Sequence, residues 1–396
     1  MEFSFKGEIS SSKSIYNRAL VVQSFATQVQ IHGLTQSEDV LHLQKSLKSF
    51  KQGETDFYCG DGGTTLRFLA VRVSRQPGVY KLRGSEQLFS RPLKPLFHFF
   101  DQVGVRYKCD KTELQIDTQG WQLPNKIDCS SVESSQFASA ILLSSWNLQK
   151  DLHLNLPRQL PSMGYLQMTI KLMEFFGGQF KTKEATSFSE SSFFFKAGQQ
   201  AQPGILNIEQ DMSSLFALAA CAIMGGEIEI TRVPEKSWQP DALFFDFLRK
   251  MKIKYELENK TFFIRQQSDY RGLDVDLLQT PDLFPVLAVL AGRAQGVSTF
   301  SGLNNLKFKE SDRLENTIQL LRRLGRRVES VPRGLMIHGS SKPFSASGDF
   351  DPMRDHRMAM AAQVANFGGA QWHITDKAVV NKSFPEFWSI LGLDDA

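Results

Sequence analysis

The chain has 396 residues, 41% hydrophobic and 22% charged, which is ordinary for a globular protein and long enough for two domains. Its net charge of +4 (46 basic minus 42 acidic residues) is too weak to indicate nucleic-acid binding. Cys59, Cys109, Cys129 and Cys221 lie far apart, which argues against a zinc site or a disulfide framework and favours a reducing cytoplasm. The N-terminal residues do not read as a signal peptide, and no stretch approaches the roughly 18 apolar residues of a membrane span.

Along the chain, a helix followed by a strand recurs six times. Each occurrence starts with small or helix-capping residues and continues as an Ala- and Leu-rich helix of about three turns. The helices start at Ser12, Thr64, Ser134, Asp211, Asp282 and Asp355, at intervals of 52, 70, 77, 71 and 73 residues. The strands that follow are predicted at 29–32, 79–82, 152–156, 227–231, 297–300 and 371–375.

A second helix is predicted after most of these strands. These second helices are expected at 37–50, 91–103, 165–176, 240–251 and 312–324. Three units of this kind per lobe predict an α/β fold with two similar lobes. The alternative is that helix–strand alternation, which is common, produces the period by chance.

The helix starts have a chemical consequence. Their Ser, Thr, Gly and Asp residues let backbone N–H groups reach a ligand, and a helix N-terminus carries about half a positive charge. Cations stand beside the same starts: Lys13, Arg18, Arg67, Arg91, Lys307, Lys309, Arg313, Arg354, Arg357 and Lys382. Any one of them could be a solvated surface charge, but together they predict a cleft for a phosphorylated acid or sugar phosphate. No GxxxxGK[ST] motif supports nucleotide binding, and His356 reads either as a general base or as part of a capped helix start.

Six segments resemble, in order, motifs of EPSP synthases. Residues 12–20 read SKSIYNRAL, 60–67 GDGGTTLR, 134–137 SSQF, 309–313 KESDR, 355–360 DHRMAM and 382–385 KSFP. The resemblance runs from about residue 9 to about residue 388, and the chain is identified on these motifs as a member of that family.

The resemblance implies the enolpyruvyl transferase fold, an inside-out α/β barrel of two lobes with a hinge between them. Residues 1–11 and 209–396 would form one lobe, and residues 12–208 the other. The implied reaction is addition–elimination, in which the enolpyruvyl group of phosphoenolpyruvate passes to the 5-hydroxyl of shikimate 3-phosphate and phosphate is released. It needs no metal and no cofactor, only two anions held together and two proton transfers. The expected protein is a cytoplasmic monomer whose partners are these two small molecules, with no nucleic acid and no membrane.

The resemblance also implies residue roles. For shikimate 3-phosphate these are Lys13, Ser14, Arg18, Ser134, Ser135, Gln136, Ser162, Tyr165, Asp282, Asn305 and Lys309, with the serines on its phosphate. For phosphoenolpyruvate they are Lys13, Gly63, Gln87, Gln136, Arg313, Arg357 and Lys382. Asp282 and Glu310 are expected to transfer protons with Lys13 as their partner, and which of them is acid or base stays open. Taken alone, without the family pattern, each carboxylate would more readily be interpreted as a helix cap or an ion-pair partner.

Two departures from the family pattern concern the donor. Gln87 stands where the family usually has an Arg that contacts phosphoenolpyruvate, and Asp61 stands where it usually has Asn. We therefore expect weak affinity for phosphoenolpyruvate, unless Lys94 or Arg91 supplies the missing charge. Two alternatives remain. One is a non-catalytic paralogue that binds a shikimate-like anion. The other is UDP-N-acetylglucosamine enolpyruvyl transferase, whose mobile loop normally carries a Cys that is absent from 84–91.

Overall fold

The computed structural model describes residues 3–130, 134–157, 159–184, 190–332 and 334–393. The chain divides into two compact units. We call residues 1–12 with 209–396 the discontinuous unit and residues 13–208 the inserted unit.

Up to residue 208 the secondary structure follows the predicted repeat. The helices are α1 (Lys13–Gln23), α2 (Glu38–Lys51), α3 (Gly63–Val73), α4 (Glu86–Ser90), α5 (Lys94–Gln102), α6 (Ser135–Leu143) and α7 (Met163–Phe175). The strands are β1 (Phe3–Gly7), β2 (Val29–His32), β3 (Asp56–Tyr58), β4 (Gly78–Arg83), β5 (Arg106–Cys109), β6 (Glu113–Thr118), β7 (Ile127–Asp128), β8 (Leu152–Pro157), β9 (Phe180–Glu184), β10 (Glu190–Phe195) and β11 (Gly204–Asn207).

The repeat continues after residue 208. The helices are α8 (Met212–Gly225), α9 (Phe244–Lys250), α10 (Phe284–Arg293), α11 (Arg313–Arg323), α12 (His356–Phe367) and α13 (Phe387–Ile390), with short 3₁₀ turns at Pro240–Leu243, Pro281–Leu283, Leu306–Phe308 and Ala378–Lys382. The strands are β12 (Gly226–Ile230), β13 (Glu256–Glu258), β14 (Thr261–Arg265), β15 (Asp274–Asp276), β16 (Gly296–Ser301), β17 (Arg327–Val331), β18 (Gly334–Gly339), β19 (Ser347–Phe350) and β20 (Gln371–Ile374).

Three helices form the centre of each unit. In the discontinuous unit, α8 is buried at every residue, and α10 and α12 are buried at nearly every residue. They pack against one another, as α1, α3 and α6 do in the inserted unit. A helix that is apolar on all sides, as the Ala-rich α8 is, has to be buried in this way. The polar starts of these helices are therefore the places where chemistry can occur.

The sheets around these helices repeat one topology. Among the described residues each unit has two four-stranded sheets and one strand pair. The orders are β3-β4-β6-β5, β7-β8-β10-β9 and β11-β2 in the inserted unit, and β1-β12-β14-β13, β15-β16-β18-β17 and β19-β20 in the discontinuous unit. In each four-stranded sheet the first pair is parallel and the other two pairs are antiparallel. A parallel pair needs a crossover connection, which the central helices provide.

The start of the chain belongs to the discontinuous unit. Strand β1 pairs in parallel with β12, from Phe3 opposite Gly226 to Gly7 opposite Ile230. The amide of Ser12 then donates to the carbonyl of Glu209 (2.8 Å). The two chain segments that lead into and out of residues 13–208 are thus paired where they meet.

The sequence-based prediction of an α/β fold with helix–strand repeats is confirmed, and each predicted strand after a central helix is present to within a residue at either end. One predicted helix was wrong at its start, because residues 91–93 lie outside the helix that was expected at 91–103. Pro92 restricts the residue before it to extended conformations, and Arg91 has φ −74° and ψ 150°. Within the described residues, no helix is both long and apolar enough to cross a membrane.

Candidate active site

In the discontinuous unit, the starts of four helices hold the candidate residues. Asp211, Asp312 and Asp355 each cap their own helix by accepting a hydrogen bond from a backbone N–H of its first turn. Asp282 lies in the 3₁₀ turn that leads into α10. Side chains from different helix starts contact one another, because Arg313 of α11 reaches both Asp282 and Asp355.

Arg313 is the centre of this cluster. Its Nε donates to Asp355 Oδ2 (2.8 Å), its Nη1 to Asp282 Oδ1 (2.8 Å) and its Nη2 to Glu310 Oε2 (2.7 Å). Burial lowers the pKa of Arg313, but Asp355, Glu310 and Asp282 more than reverse this, so the pKa is raised above its ordinary value. One buried guanidinium therefore fixes three carboxylates from three separate segments.

Asp282 lies among cations. Lys309 Nζ donates to Asp282 Oδ1 at 3.0 Å, and Arg357 Nη2 lies 3.9 Å from its Oδ2. Burial by itself raises the pKa of Asp282, but Lys309, Arg313 and Arg357 outweigh burial and hold the pKa well below its ordinary value. Asp282 is therefore ionised at neutral pH, with a side chain that is still 24% exposed.

The Arg357 guanidinium donates fewer hydrogen bonds within the described chain than the Arg313 guanidinium does. Its Nη2 donates to Ser213 Oγ (2.8 Å), and Ser213 Oγ donates to Asp211 Oδ1 (2.6 Å). Its Nε is buried and has no hydrogen-bond partner among the described residues. A nearly buried guanidinium with an unsatisfied donor is suited to an anionic ligand.

Two further predicted residues lie in the discontinuous unit. Lys382 Nζ lies 3.3 Å from Glu310 Oε1, so Glu310 bridges Lys382 and Arg313. Asn305 lies just before the 3₁₀ turn Leu306–Phe308, and its buried Oδ1 has no partner among the described residues. A hydroxyl of a ligand would satisfy that oxygen.

In the inserted unit, Lys13 is the first residue of α1. Its Nζ donates to Asp39 Oδ2 (2.9 Å), and Asp39 is nearly buried in the first turn of α2. The backbone oxygen of Asp39 accepts a hydrogen bond from Thr65 Oγ1 at 2.8 Å. These contacts join the starts of α1, α2 and α3.

Arg18 is buried at the packing of α1 against α7. Its guanidinium donates to the carbonyls of Ser14 (2.8 Å) and Tyr165 (3.2 Å) and to Thr169 Oγ1 (2.7 Å). Burial lowers the pKa of Arg18 to about 10, against a smaller opposite effect of Tyr165. No carboxylate pairs with this buried cation in the part of the chain that the structure describes, so its charge remains available to an anion.

The predicted phosphate serines stand at two helix starts. Ser134 caps α6 by accepting a hydrogen bond from the amide of Gln136 (3.3 Å), and Ser135 is the first helical residue. Ser162 precedes α7 in the left-handed region (φ +60°), which costs of order 1–3 kcal/mol for a residue with a Cβ. Such conformations concentrate at functional sites, so the strain at Ser162 agrees with a ligand-holding role.

Gly63, the first residue of α3, lies against two guanidinium groups. An ideal Cβ on Gly63 would lie 2.5 Å from Arg91 Nη1 and 3.1 Å from Arg67 Nη1. Arg67 Nη1 donates to Gln136 Oε1, and Arg67 Nη2 to the carbonyl of Pro92 (3.2 Å). The starts of α3 and α6 are thus joined by a buried cation.

The two departures from the family pattern both lie in this unit, and Ser85 connects Asp61 to the helix that carries Gln87. Ser85 Oγ donates to Asp61 Oδ1 and accepts from the amide of Leu88 (3.1 Å) at the start of α4. Gln87, half-buried on α4, accepts a hydrogen bond at its backbone carbonyl from Ser90 Oγ (2.9 Å). Asp61 therefore holds the segment that carries Gln87.

Three residues in these networks were given no ligand or catalytic role from the sequence. They are Asp39 beside Lys13, Asp355 beside Arg313 and Ser213 beside Arg357. Each stands at or next to a helix start, which was the only signal the sequence offered. Their partners lie 26, 42 and 144 residues away along the chain, which no local pattern indicates.

Comparison with known proteins decides the family. The family model of EPSP synthase (3-phosphoshikimate 1-carboxyvinyltransferase) matches residues 42–391. The chain belongs to the EPSP synthase family. It is 31% identical over 346 residues to 3-phosphoshikimate 1-carboxyvinyltransferase of Syntrophobacter fumaroxidans, covering 86% of this chain and 80% of the relative. It is 27% identical over 414 residues to the Clostridium novyi protein of that name, covering 96% and 93%.

Solved structures agree on the fold. EPSP synthase from Acinetobacter baumannii superposes with a TM-score of 0.76 at 20% identity, covering 99% of this chain and 95% of that one. The enolpyruvyl transferase NikO from Streptomyces tendae gives a TM-score of 0.73 at 13% identity, covering 99% and 94%. The family and the fold class identified from the sequence motifs are thereby confirmed.

Proposed function

We propose that this EPSP synthase family member transfers the enolpyruvyl group of phosphoenolpyruvate to the 5-hydroxyl of shikimate 3-phosphate and releases phosphate. The observation that carries the proposal is the cluster around Arg313. Four cations, Lys309, Arg313, Arg357 and Lys382, stand among carboxylates at converging helix starts. Cations that carboxylates hold in position need little reorganisation when an anionic substrate arrives.

The donor is proposed to bind chiefly through Arg357 and Lys382. Arg357 has an unsatisfied buried Nε, whereas each nitrogen of the Arg313 guanidinium already donates to a carboxylate. Arg313 therefore serves first to fix Asp282 and Glu310 and second to add positive charge for the donor. The contacts proposed for Lys13, Gly63, Gln87 and Gln136 with the donor rest on the resemblance.

The acceptor is proposed to bind at the helix starts of the inserted unit. Ser134, Ser135 and Ser162 offer hydroxyl and backbone donors, and Arg18 offers a buried charge that no carboxylate neutralises in the described chain. Ser14, Gln136 and Tyr165 are proposed contacts on the same grounds of family pattern. Asp282, Asn305 and Lys309 are assigned to the ring hydroxyls, and the unpartnered Asn305 Oδ1 supports its part in this.

Asp282 is the proposed base for the 5-hydroxyl proton. Its lowered pKa keeps it ionised, so it accepts rather than donates a proton. An anionic donor would compete for Lys309, Arg313 and Arg357 and so raise the pKa of Asp282, which makes it a stronger base when both substrates are present. Glu310 and Lys13 are then proposed to protonate the methylene carbon of phosphoenolpyruvate.

Phosphate release tests the proposal. With wild-type protein we expect release to require both substrates, while either one alone gives none. A protein that binds shikimate 3-phosphate in calorimetry but releases no phosphate with both substrates would instead be the non-catalytic paralogue.

We also propose that the enzyme is cytoplasmic. Its four cysteines are free thiols, as is usual in a reducing compartment. Three of them, Cys59, Cys129 and Cys221, are buried, and burial raises their thiol pKa values. A monomer is also proposed. Light scattering at working concentration measures the oligomeric state.

A further inference from the structure

The guanidinium groups of Arg67 and Arg91 lie at the start of α3, and the substrate assignments give neither of them a role. An ideal Cβ on Gly63 would lie 2.5 Å from Arg91 Nη1 and 3.1 Å from Arg67 Nη1. A side chain at this position would displace the Arg91 guanidinium and crowd that of Arg67, so glycine leaves room for both in their present positions. Two guanidinium groups at a helix N-terminus favour a carboxylate or phosphate there.

The backbone holds Arg91 against Arg67. Pro92 fixes Arg91 in an extended conformation, and the Pro92 carbonyl accepts a hydrogen bond from Arg67 Nη2 (3.2 Å). The Arg91 amide donates to the carbonyl of Leu88 at 3.4 Å, and Leu88 is buried. Arg91 is thus tied to α4 on one side and to Arg67 on the other.

The other end of α4 is anchored by Asp61. Ser85 Oγ donates to Asp61, and the Ser85 amide donates to the carbonyl of Gly60 (3.2 Å). The same Ser85 hydroxyl caps α4 at the Leu88 amide. The acidic side chain at 61 therefore makes a specific contact that orients the segment ending at Arg91.

Gln87 lies on α4, and Arg91 follows directly after that helix in an extended conformation. We propose that Arg91 is the specificity-determining cation for the enolpyruvyl donor in this chain, taking over the charge that the family pattern has at position 87. Asp61 and Ser85 are its positioning residues. This inference rests on the proposed function and names the group that sets donor affinity within it.

Charge removal at Arg91 tests the inference. Arg91→Gln should raise the KM for phosphoenolpyruvate about tenfold or more, because a charge-assisted contact becomes a neutral one. The KM for shikimate 3-phosphate should change less than about twofold. Arg91→Lys, which keeps the charge but loses the guanidinium fork, should give an intermediate donor KM. Arg106→Gln removes an exposed charge from β5 and is the matched control, with both KM values unchanged.

The rival cation is tested in the same assay. Lys94→Gln should leave the donor KM unchanged, because Arg91 already supplies the charge. The inference is overturned if Arg91→Gln leaves the donor KM at the wild-type value, or raises both KM values equally. It is also overturned if Lys94→Gln, rather than Arg91→Gln, raises the donor KM.

The positioning role has its own test. Asp61→Ala should raise the donor KM severalfold without lowering the melting temperature to the same degree. Asp61→Asn keeps an acceptor for Ser85 and removes the negative charge, so it should hold or lower the donor KM. A donor KM that rises as much in Asp61→Asn as in Asp61→Ala would show that Asp61 does not act through its contact with Ser85.

Direct binding separates this inference from the proposed function. Calorimetry measures phosphoenolpyruvate binding to protein saturated with shikimate 3-phosphate. Binding by wild type that weakens about tenfold in Arg91→Gln supports the inference even if no phosphate is released. Turnover with an unchanged donor affinity in Arg91→Gln contradicts the inference alone, and a wild-type protein that neither binds the donor nor turns over contradicts both.

Discussion

Burial and neighbouring charge shift the pKa of Asp282 in opposite directions, and the effect of the charges is larger. Lys309 and Arg313 both contact Oδ1, and Arg357 lies near Oδ2. An isolated carboxylate at such a site would have a raised pKa, whereas this one is held ionised. The residue pattern could predict that an acid stands here, but not its charge state, which depends on side chains 27 to 75 residues away.

Asp282→Asn should therefore affect turnover more than binding. We expect kcat to fall about 10²–10⁴-fold, because the amide cannot accept the hydroxyl proton. The KM values should change far less. Asp312→Asn is the matched control, because Asn also caps a helix, and it should stay close to wild type. A kcat near wild type in Asp282→Asn would remove Asp282 from the catalytic residues.

The lowered pKa of Asp282 also predicts how stability depends on pH. A carboxyl whose folded pKa lies below its unfolded value of about 3.9 contributes stability above that value and loses it as pH falls toward the folded pKa. The free energy of unfolding of wild type relative to Asp282→Asn should thus decrease by about 1 kcal/mol between about pH 5 and pH 3. Urea titrations at both pH values measure it. A difference that stays constant would mean that Asp282 has an ordinary pKa.

Ser213 orients the guanidinium of Arg357 by accepting a hydrogen bond from it. Ser213→Ala removes the acceptor that orients Arg357 Nη2, so the KM for phosphoenolpyruvate should rise severalfold to tenfold while kcat changes less. Ser214→Ala is the control, because Ser214 Oγ donates to Asp211 Oδ1 (3.1 Å) and has no hydrogen bond to Arg357. Equal effects of the two changes would assign the loss to helix capping rather than to Arg357.

At the scale of elements, the sequence predicted the central helices well because each has small or polar residues shortly before an apolar run, and several of these residues cap the helix. Asp211 before α8 and Asp355 before α12 are examples. It failed around α4, where Glu86–Ser90 forms a separate short helix and the predicted helix begins only at Lys94. Pro92 was visible in the sequence, but Asp61, which accepts the hydrogen bond from the hydroxyl of the capping residue Ser85, lies in a loop more than twenty residues earlier.

Variants at the two serines that begin α6 distinguish helix capping from ligand binding. Ser135→Ala removes a hydroxyl that has no capping role, so shikimate 3-phosphate should bind about tenfold to a hundredfold more weakly at unchanged stability. Ser134→Ala should also lose about 0.5–2 kcal/mol of stability as a lost cap, and Ser134→Gly only a few tenths. Calorimetry and thermal unfolding of the three variants measure both effects. Native affinity in Ser135→Ala would contradict the phosphate assignment.

At the scale of the whole molecule, the sequence pattern predicted six helix–strand repeats but not which side chains contact one another. Arg313 and Asp355 lie in adjacent repeats of the discontinuous unit, and Lys13 and Asp39 lie at the starts of successive helices of the inserted unit. Similar helix starts recur throughout the chain, so the sequence alone leaves many pairings open. Packing of the central helices selects among them, and it leaves Arg357 and Asn305 with unsatisfied polar atoms.

The most direct test of the proposed reaction follows both phosphorus atoms at once. Phosphorus NMR of wild-type protein with both substrates should show the phosphoenolpyruvate signal replaced by inorganic phosphate, while the acceptor phosphate stays esterified and shifts once as the enolpyruvyl ether forms. Omitting either substrate should abolish the change. Phosphate released from the acceptor, or from phosphoenolpyruvate without the acceptor, would contradict enolpyruvyl transfer by this chain.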